Sequence, residues 1–371
     1  MNKIFEKGGK LYWLHSTIDA FETFLAVPGT VAKKGAHVRD AVDLKRIMII
    51  AVISVIPAAI FGMWNVGYQH SLAIGDGRLQ ILANFWYGFL KVLPLYVVAY
   101  GVGLFIEFFS AGIRGEEVNE GYLMSGMLIP LIVPVTVPLW MLAIAVAFSV
   151  IFVKEVFGGT GMNIWNPALV TRAFLFFSYP SAMSGSQCWI SLKAGEQVVD
   201  GFTGATPLAL DGAAAQYGTG VWDYIIGTIP GSVGETSVIA ILLGAAILIW
   251  TGVASWKIML SSVAGALFVG GLANLGGVGI PAWEHLILGG FAFGTVFMAT
   301  DPVTSAQTEC GKWIYGFLVG ALCVTVRLFN PGYAEGMMLA ILLGNTFAPL
   351  IDHCVVSSTM KRRAKAAAKT A

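Results

Sequence analysis

The run I-M-I-I-A-V-I-S-V-I-P-A-A-I-F-G-M-W-N-V, Ile47 to Val66, carries no charged side chain in twenty residues. At 1.5 Å of rise per residue it makes a helix of about 30 Å, the thickness of a bilayer's hydrocarbon core. Working outward, comparable apolar runs lie near 86–110, 121–137, 138–156, 164–183, 234–253, 257–275, 284–303, 313–329 and 334–353. The runs near 121–137 and 164–183 are short or broken. The expected fold is therefore an all-α polytopic membrane protein with about ten transmembrane helices and both termini on one side.

Composition gives the same class independently. Hydrophobic residues make up 57% of the 371, charged residues 12%, and mean hydropathy is +0.76, whereas soluble domains carry about 25% charged residues. Residues 1–43 are polar and mixed in charge, with no apolar core ending in a cleavage site, so no secretory signal is expected. With the N-terminus inside, seventeen Lys and Arg fall on the cytoplasmic side: eight up to Arg46, then Arg114, Lys154, Lys257, Lys312, and five from Lys361 to Lys369. Only Arg78 and Lys193 fall outside, while Lys91, Arg172 and Arg327 lie within or beside spans. The asymmetry orients both termini toward the cytoplasm. The basic tail K-R-R-A-K-A-A-A-K suits anionic lipid beside a final span better than nucleic acid, and no nucleic-acid partner is expected.

Pro134, Val135 and Thr136 recur as Pro302, Val303 and Thr304, and K-E-V-F-G (154–158) is echoed by V-R-L-F-N (326–330). Five spans in each half would make these inverted repeats, with broken helices meeting near the midplane. The expected organisation is a cytoplasmic segment 1–43, a first membrane repeat 44–183, an outer loop 184–233, a second membrane repeat 234–353 and a cytoplasmic tail 354–371.

Chemistry is sought in the polar residues of this apolar frame. The outer loop contains D-G-F-T-G-A-T, Asp200 to Thr206, followed by Pro207. Thr203, Gly204 and Ala205 leave room for a bulky group on the Thr206 hydroxyl. Thr206 and Pro207 read as the N-cap and first residue of a short helix, whose N-terminus favours a phosphate. A plain helix-capping turn is the competing reading. Asn163 and Asn166 lie three apart, on one face if helical, and their amides suit the ring edge of a planar cofactor; alternatively Asn166 caps a helix starting at Pro167. Glu107, Asp301 and Asp352 lie at or inside apolar spans, where a charge costs about 2.5–3.5 kcal/mol. They are candidates for an ion path, Asp301 first because Pro302 frees backbone carbonyls beside it; the competing reading pairs or hydrates each at the boundary. Cys188, Cys310, Cys323 and Cys354 show no cluster spacing, and the five histidines form no H-x-x-x-H pair.

Several stretches together carry a resemblance. They are V-R-D-A-V-D-L-K-R-I-M (38–48), E-V-N-E-G (117–121), K-E-V-F-G-G-T-G-M-N-I-W-N-P-A-L (154–169), R-A-F-L-F-F (172–177), D-G-F-T-G-A-T, I-P-G-S-V-G-E (229–235), L-G-G-F-A-F-G (288–294), F-M-A-T-D-P-V (297–303) and E-G-M-M-L-A-I-L (335–342). The chain resembles the flavin-carrying B subunits of the sodium-translocating NADH:quinone reductase, a family shared with the Rnf complexes.

The resemblance implies a bacterial inner-membrane subunit working with subunits A, C, D, E and F. It implies FMN joined to Thr206 by a phosphoester, within a motif of Asp200, Thr203, Gly204 and Ala205, on a periplasmic loop. It further implies non-covalent riboflavin near Asn163 and Asn166, ubiquinone as electron acceptor with His37 to Asp40 as part of its site, and sodium handled at Asp301, Glu107 and Asp352. The Rnf branch, which works with ferredoxin and NAD, is the nearer alternative, and V-D-L-K-R (42–46) favours the quinone reductase. A channel or transporter with inverted repeats and no flavin is the more distant one.

Overall fold

A computed structural model describes residues 34–36, 44–76, 80–114, 121–185, 188–193, 196–199, 202, 204–209, 220–330 and 332–370. All regular secondary structure among them is helical. Five helices are long and apolar enough to cross a membrane: Arg46–Ala73, Ile81–Arg114, Trp256–Leu275, Glu309–Phe329 and Met337–Ala368. We label the full helices α1 (Leu44–Ala73), α2 (Ile81–Arg114), α3 (Tyr122–Ile132), α4 (Leu139–Ser149) and α5 (Pro167–Ser178). After the short helices α6 (Pro180–Met183) and α7 (Val221–Ile226) come α8 (Val238–Trp250), α9 (Trp256–Leu275), α10 (Glu284–Ile287), α11 (Phe291–Phe293), α12 (Glu309–Phe329) and α13 (Met337–Thr370).

The chain is apolar on the outside as well as within. On α1, Ile49, Ile53, Ile56 and Ile60 form an exposed stripe, and on α2 Leu82, Trp86, Leu90, Leu93 and Val97 form another. These faces suit lipid tails. The buried face of α2 is Asn84, Gly88, Val92, Leu95, Ala99, Gly103, Glu107 and Ala111, mostly small side chains one turn apart. Lipid provides no hydrophobic drive for helix pairing, so small residues that admit close backbone contact do that work. A Cβ added at Gly88 would lie 1.7 Å from the Met63 carbonyl oxygen. Any side chain there forces α1 and α2 apart.

Several expected spans are not single α-helices. The run near 121–137 is helical only over the 11 residues of α3; Pro134 and Pro138 prevent its continuation. Its free carbonyls are satisfied from the second half of the chain: Gly234 N–H donates to Leu131 O at 2.8 Å and the Ser232 hydroxyl to Ile132 O at 3.5 Å. The 138–156 run is α4 continued by a π-helix, Val150–Glu155. The 284–303 run divides into α10, α11 and a second π-helix, Gly294–Met298. Gly289, at φ 63°, turns the chain between the first two. Helix α13 runs through residue 354 without interruption to Thr370.

Candidate functional site

A cleft forms where the two broken regions meet. The start of α1 contributes Met48 and Ala51, α3 contributes Ser125, the first π-helix Lys154, the following loop Thr160, Asn163 and Asn166, and the segment after the second π-helix Thr300 and Asp301. Its volume is 70 Å³.

Three of the residues singled out from the sequence converge here. Asn163 and Asn166 do so from a loop, since residues 158–166 are not helical; the positive-φ glycines Gly158, Gly159 and Gly161 bend it. Asn166 also caps α5, its side-chain oxygen accepting from Ala168 N–H at 2.9 Å, with Pro167 at the first helical position. Its amide nitrogen donates to the Asp301 carboxylate at 3.4 Å. The same carboxylate accepts from Val303 N–H at 3.1 Å and the Thr304 hydroxyl at 2.9 Å. Asn163 donates to Trp165 O at 3.0 Å.

Glu107 stands one contact away from the cleft and Asp352 two. Glu107 forms an ion pair with Lys154, the two side chains 5% and 3% exposed. Lys154, counted above as a cytoplasmic charge, is therefore buried at the cleft. Asp352 accepts from Gln307 N–H at 2.7 Å, Thr308 N–H at 3.0 Å and the Thr308 hydroxyl at 2.6 Å, at the start of α12. Gln307 also donates to the Pro302 carbonyl at 2.6 Å, which ties Asp352 to the Asp301 turn.

Thr206 lies elsewhere. Val199 N–H donates to Ala73 O at 2.9 Å, fastening the loop to the end of α1. From Met48 at the cleft to Ala73 is about 37 Å along that helix at 1.5 Å per residue. The loop is held further by Glu196, 2.8 Å from His70, and by Tyr87, whose hydroxyl donates to Ser191 O at 2.9 Å. The Lys193 backbone N–H, with His70, keeps the Glu196 carboxyl below its usual range. Around Thr206 the expected helix is one turn, closed by Ala209 N–H to Thr206 O at 3.0 Å. Leu208 packs on the small apolar cluster of Tyr224, Ile229 and Leu288. Asp200 and Thr203, like His37 to Asp40, lie outside the described residues.

A family model described as NQR2, RnfD, RnfE matches residues 31–361. The chain belongs to the NQR2, RnfD and RnfE family. It is 45% identical to the B subunit of the Na(+)-translocating NADH-quinone reductase of Chromohalobacter salexigens, over 97% of this chain and 93% of that one. Identity is also 45% to the same subunit from Stutzerimonas stutzeri and 43% to that from Klebsiella pneumoniae, each over 97% of this chain and 96% of theirs.

The two places offer different chemistry to an NQR2, RnfD and RnfE family member. Thr206 is half-buried between buried Gly204 and Pro207, and its hydroxyl makes no hydrogen bond among the described residues. That geometry fits a phosphoester acceptor. In the cleft, the buried Thr160 hydroxyl lacks a partner among the described residues, beside Asn163 and Asn166, a donor set that fits the polar edge of a flavin ring. Sequence reading missed Lys154 and the buried pair Arg172–Glu235, 2.6 Å apart. The available signal was an acid in an apolar span, which demands a cation within reach.

Proposed function

We propose that the chain is the B subunit of a sodium-translocating NADH:quinone reductase in a bacterial inner membrane. In this reading Thr206 carries FMN on the periplasmic face, Asn163 and Asn166 hold riboflavin, and ubiquinone is reduced with sodium export. Ten membrane crossings in two inverted halves complete it, with both termini cytoplasmic and subunits A, C, D, E and F as partners. The observation that carries the reading is the near-complete match in length and 45% identity to named B subunits, together with a Thr206 hydroxyl that makes no hydrogen bond among the described residues. Flavins, when bound, supply the electron-carrying chemistry. The protein's part is position and charge. Thr206 fixes one carrier to a loop pinned on α1, and the amides of Asn163 and Asn166 orient the other.

Asp301 is the first candidate for the ion path because it faces the cleft, whereas Glu107 is paired with Lys154 and Asp352 organises the start of α12. Added negative charge near a cleft of low dielectric favours a cation there, which gives electron transfer a physical means of drawing in sodium. The repeated Pro-Val-Thr triplets, Pro134–Thr136 and Pro302–Thr304, support inverted halves because each follows the end of a broken helical run.

The complex captured through a tag on this chain should reduce quinone with NADH, faster with sodium present, and should move sodium when reconstituted in vesicles. Activity with ferredoxin and NAD in place of quinone would select the Rnf branch. A complex without flavin would select the channel reading.

A further inference from the structure

Helix α13 leaves the bundle without a break, and beside its last apolar turns runs a lateral groove of 550 Å³ against the start of α12. Its apolar end is lined by Ile314, Leu350 and Val355, Ile314 and Leu350 being exposed; Cys354 lines it too, and Ser358 and Arg362 form the polar end. The stretch of α13 from Met337 to Val356, apolar but for Asn345, Thr346, Asp352 and His353, is about 30 Å long at 1.5 Å per residue, the full hydrocarbon thickness. Ser358 therefore sits at the edge of the hydrocarbon and Arg362 one turn beyond it, at headgroup depth.

Charge is equally one-sided. After Asp352 the chain contains Lys361, Arg362, Arg363, Lys365 and Lys369 and no acid. The nearby carboxylates are committed elsewhere: Asp352 to the N–H groups of Gln307 and Thr308, and Glu309 to Lys257 and to Lys312 at 2.8 Å. Arg362 has no ion-pair partner among the described residues. An apolar trough that opens onto a guanidinium with no ion pair among the described residues matches a molecule with an anionic head and hydrocarbon chains, and basic pockets between helices at this depth suit such headgroups.

We propose that this groove is a binding site for one anionic phospholipid, its phosphate on Arg362 and Ser358 and an acyl chain along Ile314, Leu350 and Val355.

The cysteines provide a direct readout, since Cys310 and Cys354 are exposed at the groove while Cys188 and Cys323 are buried. The purified full chain in neutral detergent is treated with a maleimide at increasing phosphatidylglycerol or phosphatidylcholine, and alkylation of each cysteine is followed by peptide mass spectrometry. Phosphatidylglycerol should protect Cys310 and Cys354 at lower concentrations than phosphatidylcholine. Arg362→Gln should raise the phosphatidylglycerol needed by roughly fivefold, the contribution of one basic side chain near an anionic surface. Unaltered alkylation of Cys188 and Cys323 in the variant establishes that its fold is retained. Equal protection by the two lipids, or an Arg362→Gln curve that does not move, overturns the proposal. So does a Cys354 that stays blocked in the assembled complex after delipidation, because a protein neighbour would then cover the groove.

Discussion

Replacing Glu107 with Gln while leaving Lys154 in place strands a cation in the wall of the cleft. The two side chains are 5% and 3% exposed, so little of the lost interaction is returned by water. Breaking one side of a buried ion pair destabilises by about 3–5 kcal/mol. The Tyr122 ring, its centroid 5.7 Å from the Lys154 ammonium, attracts that cation by about 0.5–2 kcal/mol in wild type and variant alike, so it does not offset the loss. The expectation for Glu107→Gln is therefore a loss of about 3–5 kcal/mol. Lys154→Met breaks the same pair from the other side and should destabilise as well. The double variant removes both charges and should recover much of the loss, since well-packed neutral residues often replace a buried pair without penalty. The assay is a double-mutant cycle on the purified protein in one detergent, read by reversible denaturant unfolding. Single variants within about 0.5 kcal/mol of wild type, the range of ordinary surface substitutions, would refute the burial on which this rests. So would a double variant as damaged as the sum of the singles.

Asp301→Asn preserves shape and one acceptor oxygen while removing the charge, so the assembled complex should keep its covalent flavin but need several-fold more sodium for half-maximal quinone reduction. A sodium titration of the purified variant complex checks this, and an unchanged curve counts against Asp301 as part of the ion path. Orientation is tested with a reporter active only in the cytoplasm: it should be active fused after Lys369 and silent fused within residues 190–225, and the reverse pattern overturns the charge argument. Gly88→Ala should destabilise the α1–α2 pair, because its Cβ would lie 1.7 Å from the Met63 carbonyl oxygen; an unfolding midpoint equal to wild type in the same detergent would show that the helices are not so closely packed.

Hydropathy made the long spans legible because each of the five long helices holds a long stretch of high mean hydropathy with at most two charged side chains. It failed at 284–303, where Gly289 and Gly290 turn the backbone within an equally apolar stretch, and a window average cannot register a turn. The π-helices Val150–Glu155 and Gly294–Met298 were invisible for the same reason, though they contribute Lys154 and Phe297 to the cleft. Asn163 and Asn166 were found by residue type and spacing, yet a glycine-bent loop rather than a helix face brings them together. Lys154 was hidden in the charge count, since the positive-inside rule treats every basic residue beside a span as solvated. Only the pairing with Glu107, 47 positions earlier in sequence, reveals it as buried.

The central claim is that this chain carries a flavin on Thr206, and denaturing electrophoresis under ultraviolet light tests it most directly. Expressed with its flavin transferase, the wild-type chain should give a fluorescent band, and its Thr206 peptide should show the mass increase of an FMN phosphoester. Thr206→Val should give neither, whereas Thr203→Val should impair attachment less. Undiminished fluorescence in Thr206→Val, or a dark wild-type band, would contradict the account.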